Sequence, residues 1–232
     1  MDVILIPGFW LDASSWQAVT PALDQAGHRP HPVTLPGLES VDADRTGIGL
    51  ADHVDAVVRQ VEALPGPVAL VGHSGGGAIA QGVADRLPER IARVVFVDAG
   101  PVADGDCVND ELPVVGDEIP LPDWSVFEDA DLTDLDDELR SRFRERAVPE
   151  PARVASDPLR LSNDRRHDVP VTIIACEFPS SLIGEWLAAG KPWVRELAQA
   201  KHVDYLDLPT GHWPQFTRPA ELGRALVEAL AR

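Results

Sequence analysis

The chain of 232 residues carries 38 acidic and 20 basic side chains, which gives a formal net charge of −18 at pH 7. A protein this acidic is repelled by phosphate backbones and by anionic lipid, so its composition argues against binding to nucleic acid or to a membrane surface. Its 2 cysteines can build neither a disulfide framework nor a four-thiolate zinc site, and no apolar run approaches the ~18 residues of a membrane span.

The first apolar stretch, Met1–Ile6, lacks a basic leader and a cleavage site and is too short for a signal peptide. It is instead the first of several short runs rich in Val and Ile at consecutive positions, a pattern typical of parallel strands buried on both faces. The predicted strands are residues 3–6, 32–35, 68–71, 94–97, 171–175 and 205–208. We therefore expect a soluble, cytoplasmic protein built on a sheet.

Helical spacing of apolar residues separates these strands. The predicted helices are residues 16–26, 54–64, 75–87 and 219–230. Strands that alternate with helices predict an α/β fold in which helices flank a mostly parallel sheet. The length fits a single domain, residues 1–232, and leaves open whether that domain forms a homodimer.

Residues 101–168 break this alternation, since no parallel strand is evident in them. The segment is rich in Pro and Asp, and residues 104–150 hold 16 acidic and 4 basic side chains. Connections this long are uncommon unless they form a functional lid. We predict an inserted helical cap at about 101–168, with one helix over 128–146, and we expect its negative charge to disfavour anionic substrates.

The sequence VALVGHSGGG at Val68–Gly77 carries the strongest chemical signal. It combines a buried strand, a Gly-x-Ser-x-Gly turn and the start of a helix. In such a tight turn, side chains two residues before and after Ser74 would collide, so Gly72 and Gly76 leave the necessary room. The Ser74 hydroxyl would then stand clear of the sheet edge, and the following helix would point free N–H groups at developing negative charge.

These features resemble the α/β-hydrolase family, and the resemblance covers essentially the whole chain. It is most similar to the small plant-type esterase and hydroxynitrile-lyase branch with its related bacterial hydrolases. The resemblance implies a serine nucleophile, Ser74, and a catalytic His at His212, which lies between the last predicted strand and the final helix. It also implies oxyanion donors at the backbone N–H groups of Phe9 and Gly75, although Pro7 replaces the usual His of that loop.

The triad acid stays open, because the usual Asp after the penultimate strand falls near Pro179. Asp98 ends the preceding strand, at the carboxyl edge where ligand chemistry gathers in open α/β sheets. Glu177 lies just past the penultimate strand. We favour Asp98 and keep Glu177 as the alternative.

The resemblance predicts a serine hydrolase that cleaves a small, mostly neutral carboxylic ester through an acyl-enzyme and needs neither a metal nor an organic cofactor. A lyase of the hydroxynitrile-lyase type would use the same triad, and a lysine placed at the site to hold the leaving cyanide would favour it; the only lysines are Lys191 and Lys201. A non-catalytic pseudo-hydrolase that binds a small molecule is the non-enzyme alternative. Aromatic residues in the loops and the cap are the predicted substrate contacts: Trp10, Trp124, Phe127, Trp186 and Trp213.

Overall fold

A computed structural model describes residues 1–232, and one large parallel sheet dominates it. The strands, in chain order, are β1 Asp2–Ile6, β2 Arg29–Pro32, β3 Val68–His73, β4 Ile91–Val97, β5 Glu118–Ile119, β6 Glu150–Pro151, β7 Val171–Ala175 and β8 Val203–Asp207. Six of them form the large sheet, in the order β2-β1-β3-β4-β7-β8. The α/β fold predicted from the alternation of strands and helices is confirmed.

Helices cover both faces of this sheet. Their bounds are α1 Thr20–Gln25, α2 Leu50–Ala63, α3 Gly75–Arg86, α4 Asp137–Arg146, α5 Ala152–Ser156, α6 Ser180–Ala188, α7 Pro214–Thr217 and α8 Pro219–Leu230. Helices α1 and α8 close one face, where Trp16, Leu222 and Leu226 are fully buried. Helices α2 and α3 close the other face, so the core has two layers. No helix combines the length and the apolar character that crossing a membrane requires.

Residues 101–168, which the sequence predicts to be a cap, lie between β4 and β7. They contain α4, α5 and the small antiparallel pair of strands β5 and β6. The predicted helix over 128–146 forms only from Asp137 onward. Asp134 has a positive φ of 63°, which interrupts a helix, and the Asp136 carboxylate then caps α4 by accepting the Leu139 N–H at 2.9 Å.

Two predicted elements near the N-terminus differ from the structure. The edge strand β2 ends at Pro32 and pairs only with β1, so the apolar run 32–35 mostly forms the buried connection that follows it. Residues 16–26 do not form one helix, because a 3-10 turn at Ala13–Trp16 comes before α1. The Asp12 side chain caps that turn by accepting the Ser14 N–H at 2.8 Å.

Candidate active site

Ser74 lies in the sharp turn between β3 and α3, with a positive φ of 51°. Both flanking glycines are required, Gly72 by the tightness of the turn and Gly76 by the close approach of the backbone after β1. A Cβ on Gly72 would lie 2.5 Å from the Gly76 carbonyl oxygen, and a Cβ on Gly76 would lie 2.5 Å from the Pro7 carbonyl oxygen. The strained backbone holds the Ser74 side chain at the carboxyl edge of the sheet, as the Gly-x-Ser-x-Gly pattern predicts.

His212 lies in the loop after β8, and its Nε2 is 2.8 Å from the Ser74 hydroxyl oxygen. Its backbone is held on both sides. The His212 N–H donates to the Asp131 carbonyl oxygen at 2.8 Å, and the His212 carbonyl oxygen accepts from His73 Nε2 at 2.6 Å. Because burial lowers the pKa of His73 to about 3, that ring is neutral and serves as a fixed donor behind the catalytic candidate.

Both predicted acids reach the other nitrogen of this imidazole. Asp98 Oδ2 lies 2.7 Å from His212 Nδ1 and Glu177 Oε1 lies 2.8 Å from it. The geometry distinguishes them, since Asp98 is in line for a hydrogen bond whereas Glu177 Oε1 accepts none. The other Asp98 oxygen accepts the backbone N–H groups of Cys176 at 3.1 Å and Glu177 at 3.2 Å. Ser74, His212 and Asp98 are therefore aligned for proton transfer.

The charges of these groups depend on one another. Burial alone would lower the pKa of His212, but the carboxylates of Asp98 and Glu177 outweigh burial and raise it above its ordinary value of 6.5. Burial alone would raise the pKa of Asp98, yet its hydrogen bond to His212 holds that pKa below the usual range. Burial, and next the nearby Asp98 charge, raise the pKa of Glu177 to about 7. The site therefore stabilises an imidazolium beside an ionised Asp98.

The loop after β1 faces Ser74 and presents an unpaired donor. The Phe9 N–H has no hydrogen-bond acceptor within the chain, and Phe9 and Gly75 line the same cavity as Ser74. Trp10 has a positive φ of 65°, and two of its hydrogen bonds hold the loop in place. Its backbone N–H donates to the buried Glu150 carboxyl at 3.3 Å, and its indole N–H donates to the Ile119 carbonyl at 3.0 Å. This arrangement fits the predicted oxyanion donors.

Two cavities meet at the triad. The first, of about 350 Å³, lies over Ser74 and is lined by Phe9, Trp10, Phe127 and the polar side chains of Asn109 and Asp131. The second, of about 190 Å³, also borders His212 but not Ser74 and is mostly apolar; its walls include Glu177, Phe178, Ile183, Trp186, Trp193 and Leu197. No lysine or arginine lines either cavity, so both favour uncharged groups.

The predicted aromatic contacts fall into three groups. Trp10 and Phe127 line the cavity over Ser74, and Trp186 lines the second cavity. Trp124 and Trp213 line neither, because they pack against each other, with ring centroids 5.8 Å apart, and against Phe127. They support the wall of the Ser74 cavity from behind instead of forming its surface.

The two lysines that could favour a lyase lie away from Ser74. Lys201 pairs with Asp168, and Lys191 lies over the Trp193 ring at 5.5 Å. Neither lines the cavity over Ser74. A cyanide leaving group would therefore find neither a lysine nor an arginine there.

Oxygen and nitrogen atoms of Asp98, Glu177 and His212 lie within 4.8 Å of one another, which is close enough to hold a cation. A cation would need the lone pair of His212 Nδ1, and in this arrangement Nδ1 carries the proton that is donated to Asp98. The donor set therefore favours proton transfer over metal binding.

Sequence reasoning missed two residues of the site, Asp131 and Glu150. Asp131 stands in an acidic run that predicted only a helix start, yet its carbonyl oxygen holds the His212 loop and its side chain lines the Ser74 cavity. Glu150 lies between two prolines, Pro149 and Pro151, and is 1% exposed. An isolated acid in a proline-rich, otherwise apolar stretch was the available signal for a buried carboxyl.

Comparison with known proteins agrees with this geometry. A model described as "Alpha/beta hydrolase family" matches residues 3–225. Carbendazim hydrolyzing esterase of Nocardioides sp. (strain SG-4G) is 33% identical over 114 residues, which is 48% of this chain and 47% of that protein. Putative methylesterase 12, chloroplastic, of Arabidopsis thaliana is 31% identical over 116 residues, 47% of this chain and 33% of that protein. The matched segment thus spans half or less of these relatives.

Solved structures cover far more of the chain. An extracellular alpha/beta-hydrolase from a Paenibacillus species superposes with a TM-score of 0.77 at 22% identity, over 99% of this chain and 98% of that one. A methylesterase from Arabidopsis superposes with a TM-score of 0.73 at 19% identity, over 100% and 99% of the two chains. The resemblance drawn from the Gly-x-Ser-x-Gly turn is confirmed: the chain belongs to the α/β-hydrolase family.

Proposed function

We propose that this protein hydrolyses small, mostly neutral carboxylic esters through a serine acyl-enzyme. One observation carries the proposal: the Ser74 hydroxyl, both nitrogens of His212 and the Asp98 carboxylate form a continuous chain, with separations of 2.8 and 2.7 Å. A nucleophile, a base and a group that orients the base, each within hydrogen-bond reach of the next, are the requirements for an activated serine.

In this mechanism Ser74 Oγ attacks the acyl carbon of the ester, and its proton passes to His212 Nε2. The carbonyl oxygen gains negative charge, which the backbone N–H groups of Phe9 and Gly75 stabilise. Asp98 holds the imidazolium in the productive orientation. His212 then returns the proton to the departing alkoxide, which leaves as an alcohol. A water molecule, deprotonated by the same imidazole, releases the acid and restores Ser74.

The substrate class follows from the charge and the size of the cavities. Apart from the catalytic candidate His212, neither cavity has a basic side chain, whereas the carboxyl groups of Asp98, Asp131 and Glu177 line them. A carboxylate on the substrate would meet repulsion from these carboxyl groups with no lysine or arginine to bind it, so neutral esters fit best. The names of the relatives add one suggestion: because two of them are named as methylesterases, methyl esters with an apolar acyl group are the first candidates.

The test is intact-mass analysis after treatment with a fluorophosphonate probe, which phosphonylates an activated serine. We expect one adduct on the wild type and on a Ser141→Ala control, which changes an exposed serine, and none on Ser74→Ala. A panel of methyl, ethyl and butyl esters then measures turnover.

Other outcomes would redirect the assignment. Folded wild type that takes up no probe would contradict an activated serine. Cyanide release from mandelonitrile without ester turnover would favour the lyase. Tight binding of a small molecule without turnover, unchanged in Ser74→Ala, would favour the pseudo-hydrolase.

A further inference from the structure

The second carboxylate at His212 has no assigned role in the triad. Glu177 Oε1 lies 2.8 Å from His212 Nδ1, closer than many ion pairs, but the single proton on Nδ1 points to Asp98. Glu177 Oε1 is buried and accepts no hydrogen bond. A carboxyl in this position costs free energy unless it acts on a positive charge, and the one positive charge that can form within reach is the His212 imidazolium.

The surroundings of Glu177 intensify its effect on that charge. The titratable groups that face it are Asp98 at the end of β4, Asp131 from the cap, His212 and the neighbouring Cys176. His212 is its only ion-pair partner, so no arginine or lysine neutralises it. Its side chain is 15% exposed and that of Asp98 is 2% exposed, which weakens screening by water.

We propose that Glu177 is a positioning residue that, together with Asp98, forms a carboxylate pair around His212 Nδ1, stabilises the imidazolium and moves ester hydrolysis to a more alkaline pH range. This inference rests on the proposed function and deepens it. Asp98 accepts the hydrogen bond from His212 Nδ1 and so orients the ring, and Glu177 adds a second negative charge beside it.

The direction of the pH effect follows from the role of His212. General-base catalysis requires the neutral imidazole, which appears only as pH rises through the pKa of His212. Each carboxylate beside the ring raises that pKa, and Asp98 and Glu177 both contribute to the increase. With two carboxylates, the neutral base therefore forms at higher pH than with one, so the acidic limb of the kcat/KM profile lies further to the alkaline side.

Replacing Glu177 with Gln removes this charge and keeps the side-chain size and the backbone N–H that binds Asp98. Removing an opposite charge at this distance changes a pKa by about 1–3. We expect the acidic limb of Glu177→Gln to lie lower by about 1 on the pH scale, or more. At a pH on the wild-type acidic limb, kcat/KM should then rise about tenfold for each step of about 1 in pH by which the limb moves.

Two further variants sharpen the test. Glu185→Gln makes the same charge change at an exposed position on α6 and should leave the limb in place. Glu177→Asp keeps the charge but withdraws it from Nδ1, so its limb should lie between those of the wild type and Glu177→Gln. If the acidic limb of the kcat/KM profile stays in place in Glu177→Gln, the proposal is overturned. This holds even if the plateau value of kcat falls, because a purely structural role lowers kcat without moving the limb.

A second readout does not depend on ester hydrolysis. The imidazole C–H resonances of His212, assigned by their loss in His212→Gln, report the pKa of the ring directly in an NMR titration. We expect that pKa to be lower in Glu177→Gln than in the wild type and in Glu185→Gln, and equal values would overturn the inference. If the wild type turns over no ester and takes up no fluorophosphonate, the proposed function fails, and this titration still decides the role of Glu177.

Discussion

Replacing Glu150 with Gln should stabilise the protein in alkaline solution and have little effect at pH 4.5. Glu150 is 1% exposed in the short strand β6, and its carboxyl accepts the Trp10 N–H at 3.3 Å. Its other oxygen lies 3.9 Å from Nδ1 of His53, which is itself fully buried. His53 donates its Nε2 proton to the Pro36 carbonyl at 2.8 Å, so its Nδ1 presents a lone pair to Glu150.

Burial makes both members of this pair neutral. It lowers the pKa of His53 to about 4 and raises the pKa of Glu150 from 4.5 to about 8. Between pH 4.5 and about 8 the unfolded chain has lost the Glu150 proton while the folded protein keeps it. Stability contributed by this group is therefore complete below pH 4.5 and is lost as pH rises through about 8.

The size of the effect follows from the difference between the two pKa values of Glu150. A difference of one in pKa corresponds to about 1.4 kcal/mol, so the free energy of unfolding should fall by about 5 kcal/mol across the window if the site stays rigid. Local relaxation and water entry reduce such penalties. We therefore expect the measured decrease in the free energy of unfolding to be at least about 2 kcal/mol. The glutamine amide carries no titrating proton and its oxygen can still accept the Trp10 N–H, so the Glu150→Gln variant should escape this loss.

The measurement is urea unfolding followed by tryptophan fluorescence at pH 4.5, 7 and 9. The difference between Glu150→Gln and the wild type should grow with pH, whereas Glu111→Gln, which changes an exposed acid, should follow the wild type. Parallel stability curves for wild type and Glu150→Gln would refute the neutral buried pair. They would mean that Glu150 is ionised in the folded protein and compensated by the nearby Arg45.

Three further predictions concern catalysis, stability and specificity. Asp98→Asn should lower kcat by about 10³–10⁴, because an amide N–H facing His212 Nδ1 favours the wrong tautomer; full turnover would remove Asp98 from the triad. Arg166→Met should lower the free energy of unfolding in urea by about 3–5 kcal/mol, because it leaves the buried carboxylates of Asp85 and Glu196 without the arginine that pairs with them. Arg142→Met, which removes an exposed ion pair, should lower it by less than about 1 kcal/mol. Neutral esters should turn over faster than carboxylate-bearing esters of equal size, and Asp131→Asn should reduce the difference in kcat/KM between these two classes of ester. Faster turnover of the carboxylate-bearing esters would contradict the role of the negative cavity wall.

The sequence predicts the strands and the nucleophile turn correctly because both are set by local residue patterns. The Val- and Ile-rich runs identify all strands of the main sheet to within a few residues, apart from the shifted edge strand β2, because burial on both faces leaves a continuous apolar signal. The Gly-x-Ser-x-Gly pattern identifies the nucleophile turn because its residues are adjacent in sequence, although only Gly72 is required by contacts within the turn and Gly76 is required by the close approach of Ile6 and Pro7. By contrast, Asp131 reaches His212 across 81 positions of sequence, and nothing in its acidic neighbourhood distinguishes it from a solvated helix start.

The two candidate acids show the limit of what the sequence can predict about this site. Asp98 and Glu177 are alternatives in the sequence because each follows a strand, and the strands β4 and β7 are neighbours in parallel register, with Val97 opposite Ile174. That register brings both carboxylates to one imidazole, so proximity cannot separate them. What separates them is the direction of a single N–H, set by the two backbone donors that hold Asp98 Oδ1 in place. No residue pattern encodes that direction, and in our proposal it gives the two acids different roles: Asp98 orients His212, and Glu177 raises the pH at which His212 loses its proton.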